Sequence, residues 1–216
     1  MDRARLAILA VCALLTTTIE PFGDAPQVMA ATTADAAGVE MSPPSEPSPT
    51  QIDQEIADRI LDRLSMRHTA LPERERIALV QTILEEARTH DLDPGLVVAV
   101  IEVESAGYHL AVSHVGAMGL MQLLPSTGKE LADRMGIEWK GPDTLFDPSI
   151  NVKLGTAYLR QLTDRFGNVH TALAAYNWGP GRINRRLRRG ATVPSGYIEQ
   201  VMRAVDRNTI AAVSRS

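Results

Sequence analysis

Residues 93–105 read DPGLVVAVIEVES, and this stretch decides the fold class. Asp93 followed by Pro94 is typical of the N-cap and first position of an α-helix, and the residues after it are nearly all aliphatic. Helix signals of this kind, with apolar residues three and four positions apart, recur along residues 51–212. No stretch alternates apolar and polar residues as a strand does. We therefore predict an all-α domain over residues 51–212.

Two carboxylates, Glu102 and Glu104, interrupt this aliphatic stretch. Side chains two residues apart on a helix point about 200° apart, so the two acids cannot share a face and are not a metal-binding pair. Val100 and Ile101 lie one turn before Glu104, and an apolar wall disfavours the ionised carboxylate and raises its pKa. Such an acid can donate a proton near neutral pH. The alternative is that both side chains lie on the solvated outside of an amphipathic helix.

The first 50 residues have the composition of a targeting segment and a linker. Two arginines precede the apolar run 6–15, which is much shorter than the roughly 20 residues of a membrane span. We therefore predict a cleaved secretory signal over 1–30 and an exported protein, in the periplasm, the cell wall or the extracellular space. An uncleaved anchor and lipidation of Cys12, the only cysteine, are the alternatives. Residues 31–50 are rich in Ala, Thr, Ser and Pro, which predicts a disordered linker or a tail without a role.

Charge is small overall and uneven along the chain. A net charge of −4 gives no reason to expect nucleic acid or an anionic membrane as a partner. Residues 181–216 nevertheless contain eight arginines and two carboxylates, and four of the arginines fall in the run INRRLRRG at 183–190. A run of this kind is usually a solvated helix face, and the alternative is contact with carboxylates of a partner.

The segment AVSHVGAMGLMQLLPST, residues 111–127, has no helical face. Gly116 and Gly119 indicate tight turns or a close approach of the backbone to another element. Met121 and Gln122 supply a pliable apolar side chain and an amide, which suit a polar ligand with apolar faces. An ordinary surface loop would have a similar composition.

The segment LAAYNWGPGR, residues 173–182, places two aromatic residues and an asparagine at the end of a predicted helix. Aromatic faces stack on sugar rings, while asparagine and tyrosine form hydrogen bonds with the ring edges. The alternative is a helix C-terminus with packed aromatic side chains.

Taken together, these segments resemble the soluble lytic transglycosylase family. The similarity covers about residues 93–182, and the helix FDPSINVKLGTAYL at 146–159 resembles the family between its two motifs. The resemblance implies a lysozyme-like helical domain, here with an N-terminal helical extension. The matching residues are Glu104-Ser105, Ala111, Ser113, Gly116-Ala117, Gly119-Leu120-Met121-Gln122, Pro125, Ala175-Tyr176-Asn177 and Gly179-Pro180-Gly181.

The family resemblance also implies a reaction. Its members cleave the β-1,4 bond between N-acetylmuramic acid and N-acetylglucosamine in peptidoglycan without water, and the muramic 6-hydroxyl closes a 1,6-anhydro ring. By position, Glu104 is the acid that protonates the glycosidic oxygen and then the base that activates this hydroxyl. Tyr176 would lie close to Glu104 and orient it or the substrate. The residues expected to bind the glycan are Ser113, Met121, Gln122, Tyr176 and Asn177.

Two features fall outside the family pattern. Glu102 has no role in the resemblance, and we expect it to make a structural hydrogen bond or to face water. Gly107, Tyr108 and His109 stand where the family often has an aromatic residue, Asn or Asp, and Pro, which leaves the shape of this loop open. No second carboxylate stands in the matched motifs, and the N-acetyl group of the substrate could take its place, as in substrate-assisted glycosidases.

Three functions are consistent with the sequence. The first is an exported lytic transglycosylase whose partner is the glycan strand of peptidoglycan, with no metal and no cofactor. The second is a lysozyme-like hydrolase on the same fold. The third is a wall-binding scaffold of a secretion or conjugation apparatus, in which case a partner in the envelope machinery is expected. Retention of Glu104 with both flanking motifs favours an enzyme.

Overall fold

The computed structural model describes residues 49–65 and 69–213, and these residues are mostly helical, with the longest connection over residues 106–124. Two isolated antiparallel bridges, at Val112–Met118 and Met118–Leu123, are the only β pairing among them. The all-α prediction is confirmed. The predicted signal at 1–30 and nearly all of the linker at 31–50 lie outside the described residues. The helices are α1 Pro49–Ser65, α2 Glu73–Thr89, α3 Pro94–Ser105, α4 Pro125–Met135, the 3-10 helix η1 Pro142–Phe146, α5 Pro148–Phe166, α6 Val169–Trp178, α7 Pro180–Arg188 and α8 Gly196–Val213.

Side-chain caps begin three of these helices. Asp93 accepts a 2.6 Å hydrogen bond from the Gly95 amide at the start of α3. Asp147 accepts one of 2.9 Å from the Ile150 amide before α5, and Asn168 accepts one of 2.8 Å from the Thr171 amide before α6. Each cap satisfies an amide that has no partner inside the helix, which fixes the first turn.

Helix α3 lies at the centre of the larger hydrophobic core. Its residues from Leu96 to Glu102 are all buried, so the helix has no solvated face until its last turn. It packs against α2 and α8, and α6 contributes to the same core. Burial on all sides explains why the sequence of α3 shows little amphipathic pattern. The core residues around it include Leu79, Ile83, Leu173 and Val201.

A smaller core lies under the segment that follows α3. It is built by residues of that segment, α4, η1 and α5, namely Met118, Leu123, Leu131, Ala132, Leu145 and Leu154. Tyr158 and Tyr176 pack against both cores. These two aromatic rings therefore connect the larger and the smaller core.

An ion pair attaches the N-terminal helix to α3. Arg63 of α1 donates two hydrogen bonds to Glu102, one from Nε to Oε1 and one of 3.0 Å from Nη2 to Oε2. Arg207 of α8 places Nη2 3.7 Å from the same Oε2. Glu102, only 9% exposed, makes a structural hydrogen bond and does not face water. A buried carboxylate at this position is compatible with folding because two cations compensate it.

The described helices include none that is both long and apolar enough to cross a membrane.

Candidate active site

Glu104 lies in the last turn of α3, where the helix leaves the core. The carboxyl is mostly enclosed, and its Oε1 accepts a 2.6 Å hydrogen bond from the hydroxyl of Tyr197 in α8. Burial raises the pKa of Glu104 from 4.5 to about 6, and the hydrogen bond from Tyr197 opposes this rise to a smaller extent. A carboxyl group with this pKa exists in both protonation states near neutral pH, as an acid and base catalyst requires.

Two phenols accompany this carboxyl group. The pKa values of Tyr176 and Tyr197 are both raised well above 10, by burial first and by the negative charge of Glu104 second. Both hydroxyls therefore stay protonated and neutral near Glu104. The ring of Tyr158 lies 5.4 Å from that of Tyr176 and extends the aromatic wall.

The hydroxyl of Tyr176 has a hydrogen-bond partner other than Glu104. It donates a 2.8 Å hydrogen bond to the carbonyl oxygen of Met121, while the direct hydrogen bond to Glu104 comes from Tyr197. Tyr176 thus connects α6 to the segment 111–127. Tyr197 was not among the predicted site residues, although it is the one aromatic residue of α8.

The segment between α3 and α4 is held by its own side chains. Ser113 accepts a 3.0 Å hydrogen bond from the Ala117 amide, so its hydroxyl closes a turn. Gln122 has a φ of 49° and donates from Nε2 to the carbonyl oxygens of Ala111 and Gly119, at 3.1 and 2.9 Å. Both side chains remain partly exposed.

Asn151 of α5 anchors the same segment, although it was not among the predicted site residues. It is fully buried, donates to the carbonyl oxygens of Met118 and Leu145, and accepts a 2.7 Å hydrogen bond from the Met121 amide. At Gly119, with φ of 78°, an added Cβ would lie 2.2 Å from Asn151 Nδ2. The glycine is therefore needed for this close approach.

Met121 lies inside the protein and not on the surface of the segment. Its side chain is fully buried against α5, where a Cβ added to Gly155 would lie 2.4 Å from the Met121 sulfur. The Met121 backbone bonds Asn151 through its amide and Tyr176 through its carbonyl oxygen. Met121 therefore supports the site from the core.

The loop that departs from the family pattern has an anchor of its own. Ala106 and Gly107 both have positive φ and end α3, and the Gly107 amide donates 3.2 Å to the Ser105 hydroxyl. His109 Nδ1 lies 2.7 Å from the carbonyl oxygen of Thr69, ahead of α2. Because a carbonyl only accepts, Nδ1 carries the proton in this contact. Tyr108 is left exposed beside it.

Asn177 and Trp178 end α6 on the surface next to Tyr176. Both side chains are exposed, and the guanidinium carbon of Arg182 lies 5.3 Å from the centre of the Trp178 ring. Tyr176 therefore lies between the two hydrophobic cores, whereas Asn177 lies on the surface. In the part of the chain that the structure describes, no group of His, Cys, Asp and Glu side chains is placed to hold a metal ion.

Residues 81–195 match the model of the transglycosylase SLT domain. The chain belongs to this family. The match includes Glu104 and all of the segment 111–127, and it ends two residues before Tyr197. Helix α1, with Arg63, lies outside it. The family predicted from the sequence is thus confirmed.

Named relatives support the same assignment over part of their length. A transglycosylase of Enterobacteria phage PRD1 is 42% identical over 104 residues, which are 48% of this chain and 36% of that protein. The soluble lytic murein transglycosylase of Salmonella typhimurium is 36% identical over 119 residues, which are 54% of this chain and 18% of that protein. The chain therefore spans well under half of the length of these curated relatives.

Solved structures have the same fold. An inactive mutant of the lytic transglycosylase Slt from Pseudomonas aeruginosa aligns with a TM-score of 0.55 at 31% identity, over 61% of this chain and 24% of that one. The 70 kDa soluble lytic transglycosylase of Escherichia coli aligns with a TM-score of 0.56 at 23% identity, over 74% of this chain and 30% of that one. The domain therefore has the lysozyme-like fold of the lytic transglycosylases.

Proposed function

We propose that this protein is a peptidoglycan lytic transglycosylase in which Glu104 acts first as the acid and then as the base. The observation that carries the proposal is the environment of Glu104, an enclosed carboxyl whose pKa is raised to about 6 and whose direct hydrogen-bond partner is a neutral phenol. Membership of the transglycosylase family supports it, as do the names of the relatives. We also propose that the protein is exported, since its substrate would lie in the wall.

In the first step Glu104 donates its proton to the glycosidic oxygen between the muramoyl and glucosaminyl residues. The bond from that oxygen to the anomeric carbon breaks as the proton arrives. Because the Tyr197 hydroxyl already donates to Oε1, the transferable proton is placed on Oε2. The pKa of Glu104 reflects burial and the Tyr197 hydroxyl, and not a second carboxylate among the described residues. The N-acetyl group of the muramoyl residue would stabilise the positive charge at the anomeric carbon.

In the second step the Glu104 carboxylate removes the proton of the muramoyl C6 hydroxyl. The oxygen of that hydroxyl attacks the anomeric carbon and closes the 1,6-anhydro ring, and Glu104 returns to its protonated form. The hydrogen bond from Tyr197 stabilises the carboxylate between the two steps, without the stronger stabilisation of a cation that would trap it.

We further propose that the glycan lies over the segment 111–127 and the end of α6. Ser113, Gln122 and Asn177 are partly or fully exposed there and would contact the sugars. Met121 and Tyr176 would act from beneath, since one is fully buried and the hydroxyl of the other holds the Met121 carbonyl oxygen. These side chains hold the backbone of the segment, and its shape would then define the subsite.

The decisive experiment is mass spectrometry of the muropeptides that the purified protein releases from sacculi. We expect muramic ends lighter by one water than lysozyme products and resistant to borohydride, and no release by Glu104→Gln. Hydrated, reducible ends would instead make the protein a hydrolase. Binding to sacculi without any release by the wild type would favour the scaffold function.

A further inference from the structure

Helix α7 presents arginines that have no carboxylate partner. Arg182, Arg185, Arg188 and Arg189 are all exposed, and none of them forms an ion pair with any residue that the structure describes. The nearest acidic residues along the chain are Asp164 on one side and Glu199 on the other. We call these four side chains the α7 arginine stripe.

Four other exposed cations of the described chain each lie beside a carboxylate. Lys129 pairs with Asp133 at 2.7 Å, Arg134 with Glu130 at 3.6 Å, Lys140 with Glu138 at 3.2 Å and Arg203 with Glu199 at 3.7 Å. The α7 arginine stripe instead places like charges three and four residues apart on one helix, which destabilises the helix. An uncompensated basic surface of this kind attracts a ligand with several negative charges.

The position of α7 places the stripe beside the candidate active site. Helix α7 follows α6, which carries Tyr176. A short connection then joins α7 to α8, and α8 carries Tyr197. The inner side of α7 is anchored by Ile183, which is fully buried. The nine residues of α7 span only about 13 Å, and the stripe begins at Arg182, which contacts Trp178 at the end of α6.

We propose that the α7 arginine stripe binds the carboxylates of the peptide stems of peptidoglycan while Glu104 acts on the glycan. This inference rests on the proposed function, because it takes the wall as the substrate. Stem peptides project from the muramoyl residues and carry several free carboxylates, which complement the stripe in charge. Arg182 is held against Trp178, so the stripe has one fixed end next to the exposed Asn177. Arginine is suited to this contact because its guanidinium binds a carboxylate through two parallel hydrogen bonds.

The test measures binding of the full chain to intact sacculi by sedimentation, in the Glu104→Gln background so that the substrate is not digested. Arg182, Arg185, Arg188 and Arg189 are replaced together by Gln. We expect binding at low salt to weaken by about tenfold, as the loss of several exposed ion pairs predicts, and to depend less on salt concentration. The matched control replaces Lys129, Arg134, Lys140 and Arg203 by Gln, which changes the net charge equally. This control should bind as before.

Two treatments of the sacculi identify the ligand. Amidation of all wall carboxylates should reduce binding of the parent to that of the arginine variant. Removal of the stems by an amidase, which leaves the lactyl carboxylates, should do the same. Equal binding by the arginine variant and the parent would overturn the proposal, as would an equal loss in the matched control. Retained binding to amidase-treated glycan, or binding only to vesicles of anionic phospholipid, would assign the stripe to another ligand. If the wild-type protein releases no product from sacculi, the proposed function is refuted, and the binding results remain a separate test of the stripe.

Discussion

Glu102 and Glu104 lie two residues apart on α3 and have opposite surroundings. Glu102 is the more deeply buried of the two and faces the guanidinium groups of Arg63 and Arg207. Glu104 is mostly enclosed, and its hydrogen-bond partner is the neutral hydroxyl of Tyr197. The acid with the raised pKa is the less buried one. The comparison teaches that burial makes a proton donor only where no cation compensates the carboxylate.

Helix α8 serves both carboxylates. Its first turn supplies Tyr197 to Glu104, and a later turn supplies Arg207 to Glu102. The other cation, Arg63, comes from α1, which lies outside the residues that match the family. The segments on either side of the matched region therefore complete the electrostatic environment of the helix that carries the candidate acid.

The largest expected difference between the two acids is in catalysis. Glu104→Gln keeps the shape of the side chain and removes the proton, so release of muropeptides from sacculi should fall by about a thousandfold, as the loss of a general acid predicts. Glu102→Gln is the matched control, since it makes the same chemical change on the same helix. It should retain most of the turnover when assayed well below its melting temperature. Equal losses in both variants would remove the distinction between the two acids.

The same two substitutions should affect stability in the reverse order, with the larger loss in Glu102→Gln. Glu102→Gln leaves Arg63 without its carboxylate in a partly buried position, and the free energy of unfolding should decrease by about 3 kcal/mol. Denaturant unfolding monitored by circular dichroism measures this. Replacing Arg63 and Glu102 together by Met should recover most of the loss, because no buried charge is then left uncompensated and the remaining cation, Arg207, is exposed to water. A double variant as unstable as the single one would mean that packing, and not charge, explains the effect.

The pH dependence of stability separates the two acids further. The folded protein holds the Glu104 proton more tightly than the unfolded chain, because the pKa rises from 4.5 to about 6. The stabilising effect of this proton is fully present below pH 4.5 and is lost as the pH rises through 6. Glu104→Gln should therefore be as stable as the wild type at pH 4 and more stable by about 2 kcal/mol at pH 8. A stability difference independent of pH would contradict the raised pKa.

The sequence predicts local features of the two acids better than their partners on other helices. The helix caps at Asp93, Asp147 and Asn168 act within three residues, and Glu104 follows from local apolar neighbours and a family motif. The Tyr197–Glu104 and Arg63–Glu102 contacts join residues 93 and 39 positions apart. Local periodicity shows which face of a helix is apolar but not which helix packs against it, so these partners could not be predicted.

Met121 shows the same limit within a single motif. The pliable apolar side chain of Met121 suggested a contact with a ligand. Gly155 on α5, however, leaves room for this side chain to enter the core. Likewise Asn151 reads as one polar residue on an amphipathic helix, and its three hydrogen bonds to the backbone appear only once α5 lies under the segment 111–127. The burial of a side chain depends on the small residues opposite it, and these lie on another element.

The smallest expected effect concerns the two phenols and tests whether the partner of Glu104 sets its pKa. Tyr197→Phe removes the one interaction that lowers the pKa of Glu104, so this pKa should rise above 6 and the alkaline limb of the pH–rate profile should move to higher pH. Turnover at pH 6 should fall by about tenfold, since a hydrogen bond to a charged group is worth roughly 1.5–3 kcal/mol. Tyr176→Phe is the control, because its hydroxyl bonds Met121 and not Glu104. It should lower stability by about 1 kcal/mol and leave the position of the alkaline limb unchanged. If Tyr176→Phe shifts the limb and Tyr197→Phe does not, the tyrosine that controls the pKa of Glu104 is Tyr176 of α6. The contrast between Glu102, which is paired with cations, and Glu104, which is paired with a phenol, would then rest on Tyr176 instead of Tyr197.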